Sequence, residues 1–227
     1  MEEREYLDLS IHETKNYISA ISGYTELIYR GIVSGDKAQE MWKKVYRTAK
    51  YLGDYTDKRY LYDLLHSRNY ALHKQPVLLK QQIENTKNEV VAKWQQEIII
   101  PDIVLEGKEE IQVSADKFLL EKLLFSVIEN VVKYCSGNRI VFVKWSEEED
   151  GIHFSIKNQA EIPEEESLEY FTEPYYRVDK MESRKMGGQG LGLANVSEIV
   201  KIHGWTMNLS YQNDWFVVEL ILDENAG

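Results

Sequence analysis

The stretch from residue 116 to residue 134, DKFLLEKLLFSVIENVVKY, decides the fold of the second half of the chain. Its apolar residues recur every three or four positions, which predicts an amphipathic helix from Asp116 to Tyr134. Near the end of this helix, Asn130 and Lys133 are three positions apart and therefore share a face. An amide oxygen can ligate Mg²⁺ and a lysine can bind a phosphate, although polar residues in such a helix usually form only its solvated face.

Strand-like and helical segments surround this helix on both sides. Two alternating runs after it are separated by the acidic turn 147–150 and predict a hairpin, and a second hairpin is predicted near the end of the chain. Helices and mostly antiparallel strands in blocks indicate an α+β fold, with an α/β sandwich as the larger domain. The predicted segments are helices at 79–96 and 191–203, and strands at 97–103, 110–113, 139–146, 151–158, 205–211 and 215–222.

A glycine-rich run precedes the last predicted helix and reads Gly187-Gly188-Gln189-Gly190-Leu191-Gly192-Leu193. Glycines let a backbone approach phosphates closely, and the amides at a helix start attract anions. The run lacks the Lys-Ser/Thr of a P-loop and does not closely follow a strand, as a dinucleotide fingerprint would. Taken alone, this run is a moderately specific signal of a phosphate-binding site. The alternative is a flexible loop before a helix.

The first part of the chain, from Arg4 to about Asn69, has a heptad-like helical pattern, and residues 30–36 predict a turn between two helices. A lone helical hairpin leaves its apolar stripe uncovered, whereas two hairpins side by side bury it in a four-helix bundle. We therefore predict a homodimer; the alternative is that the stripe packs on the second half of the same chain. The stripe of the first helix comprises Leu7, Ile11, Thr14, Ile18, Ile21, Thr25, Ile28 and Ile32.

His12 is the first candidate for chemistry in this region. It follows Ile11 directly, so it lies beside the apolar stripe and is expected to be accessible. Glu13 comes next and could accept a proton from the imidazole or fix its tautomer. An exposed helical His-Glu pair is, however, usually only a solvated surface.

Charge and cysteine content exclude several classes of protein. The net charge of −11, from 27 basic and 38 acidic residues, argues against general nucleic-acid binding, which needs clustered Lys and Arg. The single cysteine, Cys135, excludes an intrachain disulfide and a cysteine-built metal site. No stretch is long and apolar enough to predict a membrane-spanning helix.

Taken in order, four segments give the chain a resemblance to bacterial sensor histidine kinases of two-component systems over nearly its whole length. Each segment is only modestly specific alone, but four in this order on the expected elements are specific. Residues 9–16 resemble the family's phosphoacceptor box, residues 116–134 its N box, residues 171–177 its F box and residues 188–193 its second glycine box.

The resemblance implies a domain organisation and a reaction. Residues 1–69 would be the dimerisation and histidine phosphotransfer hairpin, and residues 70–227 the catalytic ATP-binding domain of the histidine kinase/gyrase type. ATP would phosphorylate His12, with Glu13 as base, and the phosphoryl group would pass to an aspartate of a response-regulator receiver domain. Asn16 would orient a water for the reverse dephosphorylation. The chain would be the cytoplasmic portion of a cell-membrane receptor, attached only through upstream segments.

The resemblance also implies a ligand set for ATP and Mg²⁺. Asn130 would hold the metal ion, and the loop of about 178–188 would be a lid over the nucleotide. The nucleotide-binding residues would be Asn130, Lys133, Tyr134, Asn158, Arg184, Gly188, Gly190, Leu191, Gly192 and Leu193.

The sequence departs from the family pattern in its first glycine box. Asn158 stands where the family has an aspartate that accepts a hydrogen bond from adenine, and residues 156–163 contain no glycine. An amide oxygen accepts that bond without charge assistance, so Asn158→Asp is expected to tighten ATP binding. Two alternatives stay open, a phosphatase-biased pseudokinase and an ATP-independent dimeric histidine phosphotransferase. A gyrase-like ATPase is disfavoured, because Ser126 occupies the position of its water-activating glutamate.

Overall fold

The computed structural model describes residues 3–67, 70–163, 166–178 and 188–223. The chain divides into two compact units, Met1–Leu61 and Tyr62–Gly227. The assignment of residues 1–69 and 70–227 to separate functions stays a prediction. None of the helices in the described ranges combines the length and the apolarity that crossing a membrane requires.

The first unit is a helical hairpin. Helix α1 spans Glu3–Tyr29, and helix α2 spans Gly35–His66, of which the residues from Tyr62 onward belong to the second unit. Gly31 and Gly35 both have positive φ angles in the connecting turn, a conformation that glycine adopts at little cost. Tyr55 of α2 is buried, and its hydroxyl oxygen lies 3.0 Å from both the carbonyl oxygen and the Oγ of Ser10 in α1. This contact ties the two helices together near the predicted phosphoacceptor box.

In the described part of the second unit, three helices that follow α2 combine with a mixed sheet. Its five-stranded sheet has the order β2-β4-β5-β7-β6, in which β2 is parallel to β4 and the other neighbours are antiparallel; β1 and β3 form a separate antiparallel pair. The elements are β1 Lys74–Leu78, α3 Leu79–Trp94, β2 Asp102–Gly107, β3 Gln112–Asp116, α4 Lys117–Tyr134, β4 Ile140–Glu148, β5 Gly151–Gln159, a 3₁₀ turn Leu168–Thr172, α5 Gly192–His203, β6 Thr206–Gln212 and β7 Trp215–Leu222.

The core of this unit lies between the helices and one face of the sheet. Helix α4 packs against both α3 and α5, and its apolar face is almost wholly buried. In strands β5 and β7 buried residues alternate with half-buried or exposed ones, as expected for strands with one covered face. The α+β fold class and the helical N-terminal region predicted from the sequence are thereby confirmed.

The prediction misplaced two strands and missed a third. The strands predicted at 97–103 and 110–113 are β2 and β3, at Asp102–Gly107 and Gln112–Asp116. Three consecutive isoleucines suggested a strand from Glu97 to Ile103, but β2 begins only at Asp102. The N–H groups of Glu97 and Ile98 both donate to the carbonyl of Trp94, so this segment closes the end of α3. No strand was predicted at the position of β1. Only one of its five residues is buried, because β1 pairs solely with β3 and covers little of the core.

Candidate functional site

Asn158 lies on the buried face of β5, in line with the core residues Phe154 and Ile156, and is only 1% exposed. Its Nδ2 donates to the carbonyl oxygens of Gln159 at 2.9 Å and Tyr134 at 3.4 Å. These two acceptors fix the orientation of the amide. Its Oδ1 is buried and has no hydrogen-bond partner among the described residues. Leaving a buried acceptor without a hydrogen bond costs about 1–3 kcal/mol of folding free energy. We therefore expect this oxygen to accept a hydrogen bond from a bound ligand.

The end of α4 brings three predicted nucleotide residues together. The carbonyl of Tyr134 contacts Asn158, and the ammonium of Lys133 lies 5.6 Å from the centre of the Tyr134 ring. Lys133 is buried, and its ammonium lies 4.9 Å from the ring centre of Trp94. Asn130, nearly one turn earlier, is half-buried. The end of α4 thus carries an amide, an ammonium and an aromatic ring, and the Tyr134 carbonyl joins it to the amide of Asn158.

The glycine-rich segment is joined to the aromatic segment before it. Gly190 has a φ of +69°, and its carbonyl accepts a hydrogen bond of 2.8 Å from the N–H of Tyr175. A Cβ at Gly190 would lie 2.6 Å from the carbonyl carbon of Tyr175 and from the carbonyl oxygen of Tyr176. Helix α5 begins two residues later, at Gly192. Gly190 therefore allows two chain segments to approach each other immediately before a helix N-terminus.

The remaining predicted residues of this segment have different environments. Leu191 is fully buried, whereas Gly188 and Leu193 are half-buried. Arg184 and most of the predicted lid, residues 179–187, lie outside the described residues. Their proposed contacts with a nucleotide stay predictions.

Aromatic contacts anchor residues 171–177 on the sheet. The Phe171 ring centre lies 5.9 Å from that of Phe216 on β7 and 5.7 Å from that of Tyr176. The ring centre of Tyr176 also lies 5.8 Å from that of Tyr170, and the Tyr176 hydroxyl donates to the Glu166 carboxylate. Because these rings fix the aromatic segment, they also fix the Tyr175 amide that holds Gly190.

Asp116 fixes the start of α4. Its carboxylate accepts hydrogen bonds from the N–H groups of Leu119 and His73 and from the hydroxyl of Tyr70. Burial opposes ionisation of Asp116, but these donors outweigh it and hold the pKa of the carboxyl below its usual value. Burial and the bond to Asp116 raise the pKa of Tyr70 to about 12. The backbone N–H of Asp116 also donates to Nε2 of the buried His203, which ties α4 to the end of α5.

His12 is exposed on α1, as its position beside the stripe predicts. The amide nitrogen of Asn16, one turn later, lies 3.1 Å from Nδ1 of His12, so Nε2 is the ring nitrogen that Asn16 does not engage. Glu13 is buried, with only 9% of its surface exposed. The sequence suggested Glu13 as the neighbour of the imidazole. The structure shows that Asn16 is a further neighbour, at Nδ1 of the ring.

Comparison with known proteins finds similarity to histidine kinases. A family model described as histidine kinase-, DNA gyrase B-, and HSP90-like ATPase matches residues 115–225. The chain is 27% identical over 204 residues to the sensor protein VanS of Enterococcus faecium, covering 85% of this chain and 50% of VanS. The solved histidine kinase AdeS of Acinetobacter baumannii superposes with a TM-score of 0.74 at 18% identity, covering 94% of this chain and 98% of AdeS. The chain is thus similar in sequence to sensor histidine kinases and has the fold of a solved histidine kinase.

This recognition agrees with the motifs read from the sequence. A full-length histidine kinase, ShkA in complex with AMPPNP, is also similar to this chain, with a TM-score of 0.64 at 16% identity, over 100% of this chain and 47% of ShkA. At such identities the solved structures establish the fold alone. The chain spans about half the length of the curated relatives VanS and PhoR that it matches. The range 115–225, which the ATPase family model matches, contains Asn130, Lys133, Tyr134 and Asn158.

The surroundings of Asn158 in the structure reverse the expectation that an aspartate at this position would tighten ATP binding. An aspartate would place a carboxylate oxygen where Nδ2 now donates to the carbonyls of Gln159 and Tyr134. Two hydrogen bonds would become repulsive contacts, at a cost of about 1–3 kcal/mol. We now expect Asn158→Asp to weaken ATP binding about ten-fold, which is about 1.4 kcal/mol, and to lower the melting temperature. Calorimetric titration and thermal unfolding would measure both, and tighter binding by the variant would contradict the structural argument.

Proposed function

We propose that this chain is the core of an active histidine kinase, in which His12 receives the γ-phosphoryl group of ATP and passes it to an aspartate of a response-regulator receiver domain. The observation that supports this most is the buried, unpaired Oδ1 of Asn158 next to Tyr134. The amino group of adenine is a donor that would satisfy this oxygen. Guanine has a carbonyl oxygen at the equivalent position, and the fixed amide of Asn158 would not pair with it.

The residues near Asn158 fit the rest of a nucleotide. The amide oxygen of Asn130 is a hard ligand of the kind that Mg²⁺ prefers, and Lys133 adds a positive charge nearly one turn away. The backbone amides that precede and begin α5, from Gly188 to Gly192, would face the phosphates. A bound Mg²⁺ ion would neutralise part of the phosphate charge, and the chain's own contribution would be to position the reacting groups.

The transfer itself needs an unprotonated nitrogen on His12. The lone pair of Nε2 attacks the γ-phosphorus, the bond to the bridging oxygen breaks, and ADP leaves with that electron pair. The proton on Nδ1 then passes to a base, for which Glu13 is our candidate. Asn16 lies at Nδ1, and its amide oxygen, if turned toward the ring, would hold the proton there until transfer.

We propose further that the chain works as a homodimer within a longer membrane receptor. Leu7, Ile11 and Ile18 of the predicted stripe are between 43% and 51% exposed in a single chain. A second hairpin would cover these side chains in a four-helix bundle, and apolar burial of this kind is the main favourable term in association. The similarity to sensor proteins supports the receptor assignment, under which this portion would lie in the cytoplasm.

A second candidate function is a phosphatase-biased pseudokinase. It is favoured by the altered segment 156–163, which has no glycine and carries Asn158 in place of an aspartate. Incubation with γ-labelled ATP and Mg²⁺ separates the two candidates. The kinase proposal expects label that is stable to base and lost in acid, as a phosphoramidate is. Absence of label in a protein that dephosphorylates its regulator would favour the pseudokinase.

Asn16→Ala should slow dephosphorylation of the phosphorylated regulator at least ten-fold, because no amide would orient the attacking water; a ten-fold loss is about 1.4 kcal/mol. The bond from Asn16 to His12 is exposed and is worth about 1 kcal/mol at most, so autophosphorylation should fall less than about five-fold. Both rates can be followed by gel assay with labelled proteins. Asn16→Thr keeps a side-chain hydroxyl that can orient a water, and it should retain phosphatase activity as the control. Equal losses of both activities in Asn16→Ala would refute the separate role.

A further inference from the structure

The side chain of Gln159 ties the end of β5 to the loop that follows α4. Its Oε1 accepts a hydrogen bond of 2.8 Å from the backbone N–H of Asn138. Because an N–H group needs an acceptor, it is the oxygen of the Gln159 amide that faces the loop. Gly137 makes room for this contact, since it has a φ of +55° and a Cβ there would overlap with Oε1. The loop and the side chain of Gln159 therefore pack closely against each other.

The backbone of Gln159 holds both this loop and the amide of Asn158. Its carbonyl oxygen accepts hydrogen bonds from the N–H of Ser136 at 2.8 Å and from Nδ2 of Asn158 at 2.9 Å. The second acceptor of Nδ2 is the carbonyl oxygen of Tyr134, two residues before Ser136. Both acceptors of the Asn158 amide therefore depend on how the segment 134–138 lies against the end of β5.

The next residue, Ala160, is held from the other side. Its N–H donates to the carbonyl oxygen of Asp214 at 2.9 Å, and the hydroxyl of Tyr211 donates to its carbonyl oxygen at 3.1 Å. The peptide group between Gln159 and Ala160 is thus bonded at both its C=O and its N–H. Contacts on both sides therefore fix the backbone of the altered segment 156–163, which contains no glycine.

We propose that Gln159 is a positioning residue that orients the amide of Asn158 for the 6-amino group of adenine. This inference rests on the proposed ATP-binding function. The buried Oδ1 of Asn158 belongs to the same planar amide as Nδ2, so a shift of the two acceptor carbonyls would turn Oδ1 as well. A polar group that is fixed before the ligand arrives loses less conformational freedom on binding, so the gain appears as affinity for the amino group.

The test compares adenosine with purine riboside, which is adenosine without the 6-amino group. Binding of each ligand to the whole chain would be followed by NMR chemical-shift titration. The wild type should prefer adenosine about ten-fold, as expected for one buried hydrogen bond. Gln159→Met keeps the length of the side chain but removes the oxygen, and it should reduce this preference to about three-fold or less. Gln159→Glu keeps an acceptor for the N–H of Asn138 and should recover most of the preference.

Gln212→Met is the matched control, since Gln212 is also the last residue of a strand, β6. It should leave the preference for adenosine at the wild-type value. In an Asn158→Ala background the preference should be absent, and Gln159→Met should change it no further, because the oxygen that Gln159 positions is gone.

A purely structural role of Gln159 would give a different result. The inference is overturned if Gln159→Met weakens both ligands by the same factor and leaves their ratio unchanged, or if Gln159→Glu behaves like Gln159→Met. A wild type that binds the two ligands with equal affinity would overturn it as well. Failure of the wild type to bind either ligand would instead refute the proposed ATP site as a whole.

Discussion

His12→Gln should abolish labelling of the chain by γ-labelled ATP. Removal of the reacting nitrogen in a group-transfer enzyme typically costs at least about 10³-fold in rate, which places residual labelling below detection. Glutamine keeps a polar side chain at an exposed helical position, so the fold of the hairpin should be unchanged. ATP affinity should also be unchanged, because every nucleotide residue that we propose lies in the second unit.

His66→Gln provides the matched control for this experiment. His66 is likewise an exposed helical histidine, and its Nδ1 lies 2.9 Å from the carbonyl oxygen of Tyr62. The control variant should be labelled like the wild type. Label that persists in His12→Gln would assign the phosphoacceptor to another residue, and loss of label in both variants would show that the substitution acts through the fold.

The sequence predicted best those elements whose burial follows a regular period. Helix α4 was predicted one residue longer than observed, because its apolar residues recur with helical spacing over five turns. Strand β7 was predicted with its observed bounds, since its side chains alternate between two faces. Strand β1 could not be predicted in this way, because it has a single buried residue and gains its structure from pairing with β3.

The chemistry of the site was predictable by residue type but not by environment. The sequence identified Asn158 as a departure and assumed that a carboxylate would serve better there. Only the fold shows that its Nδ2 is occupied by two backbone carbonyls, and these come from Gln159 and from the end of α4. The contact between Trp94 and Lys133 crosses from α3 to α4 over nearly forty positions, and no local pattern indicates such a pair.

Gly190→Ala should be the most destabilising of the glycine substitutions near the site. The left-handed φ of +69° costs a residue with a Cβ about 1–2 kcal/mol. The new methyl group would also lie 2.6 Å from backbone atoms of Tyr175 and Tyr176, and displacing packed atoms typically costs about 1–3 kcal/mol more. For a unit of this size, the two effects together should lower the melting temperature by on the order of 10 °C.

Gly192→Ala is the control for stability, because a Cβ there meets nothing within 4 Å and the residue lies in the first turn of α5. Alanine is the better helix former, so this variant should melt at or slightly above the wild-type temperature. Thermal unfolding followed by circular dichroism separates the two variants. If Gly190→Ala melted like Gly192→Ala, the hydrogen bond between Tyr175 and Gly190 would not be what holds the glycine segment in place. The segment would then owe its position to α5 alone, and the aromatic residues 171–177 would have no part in forming the phosphate-binding backbone.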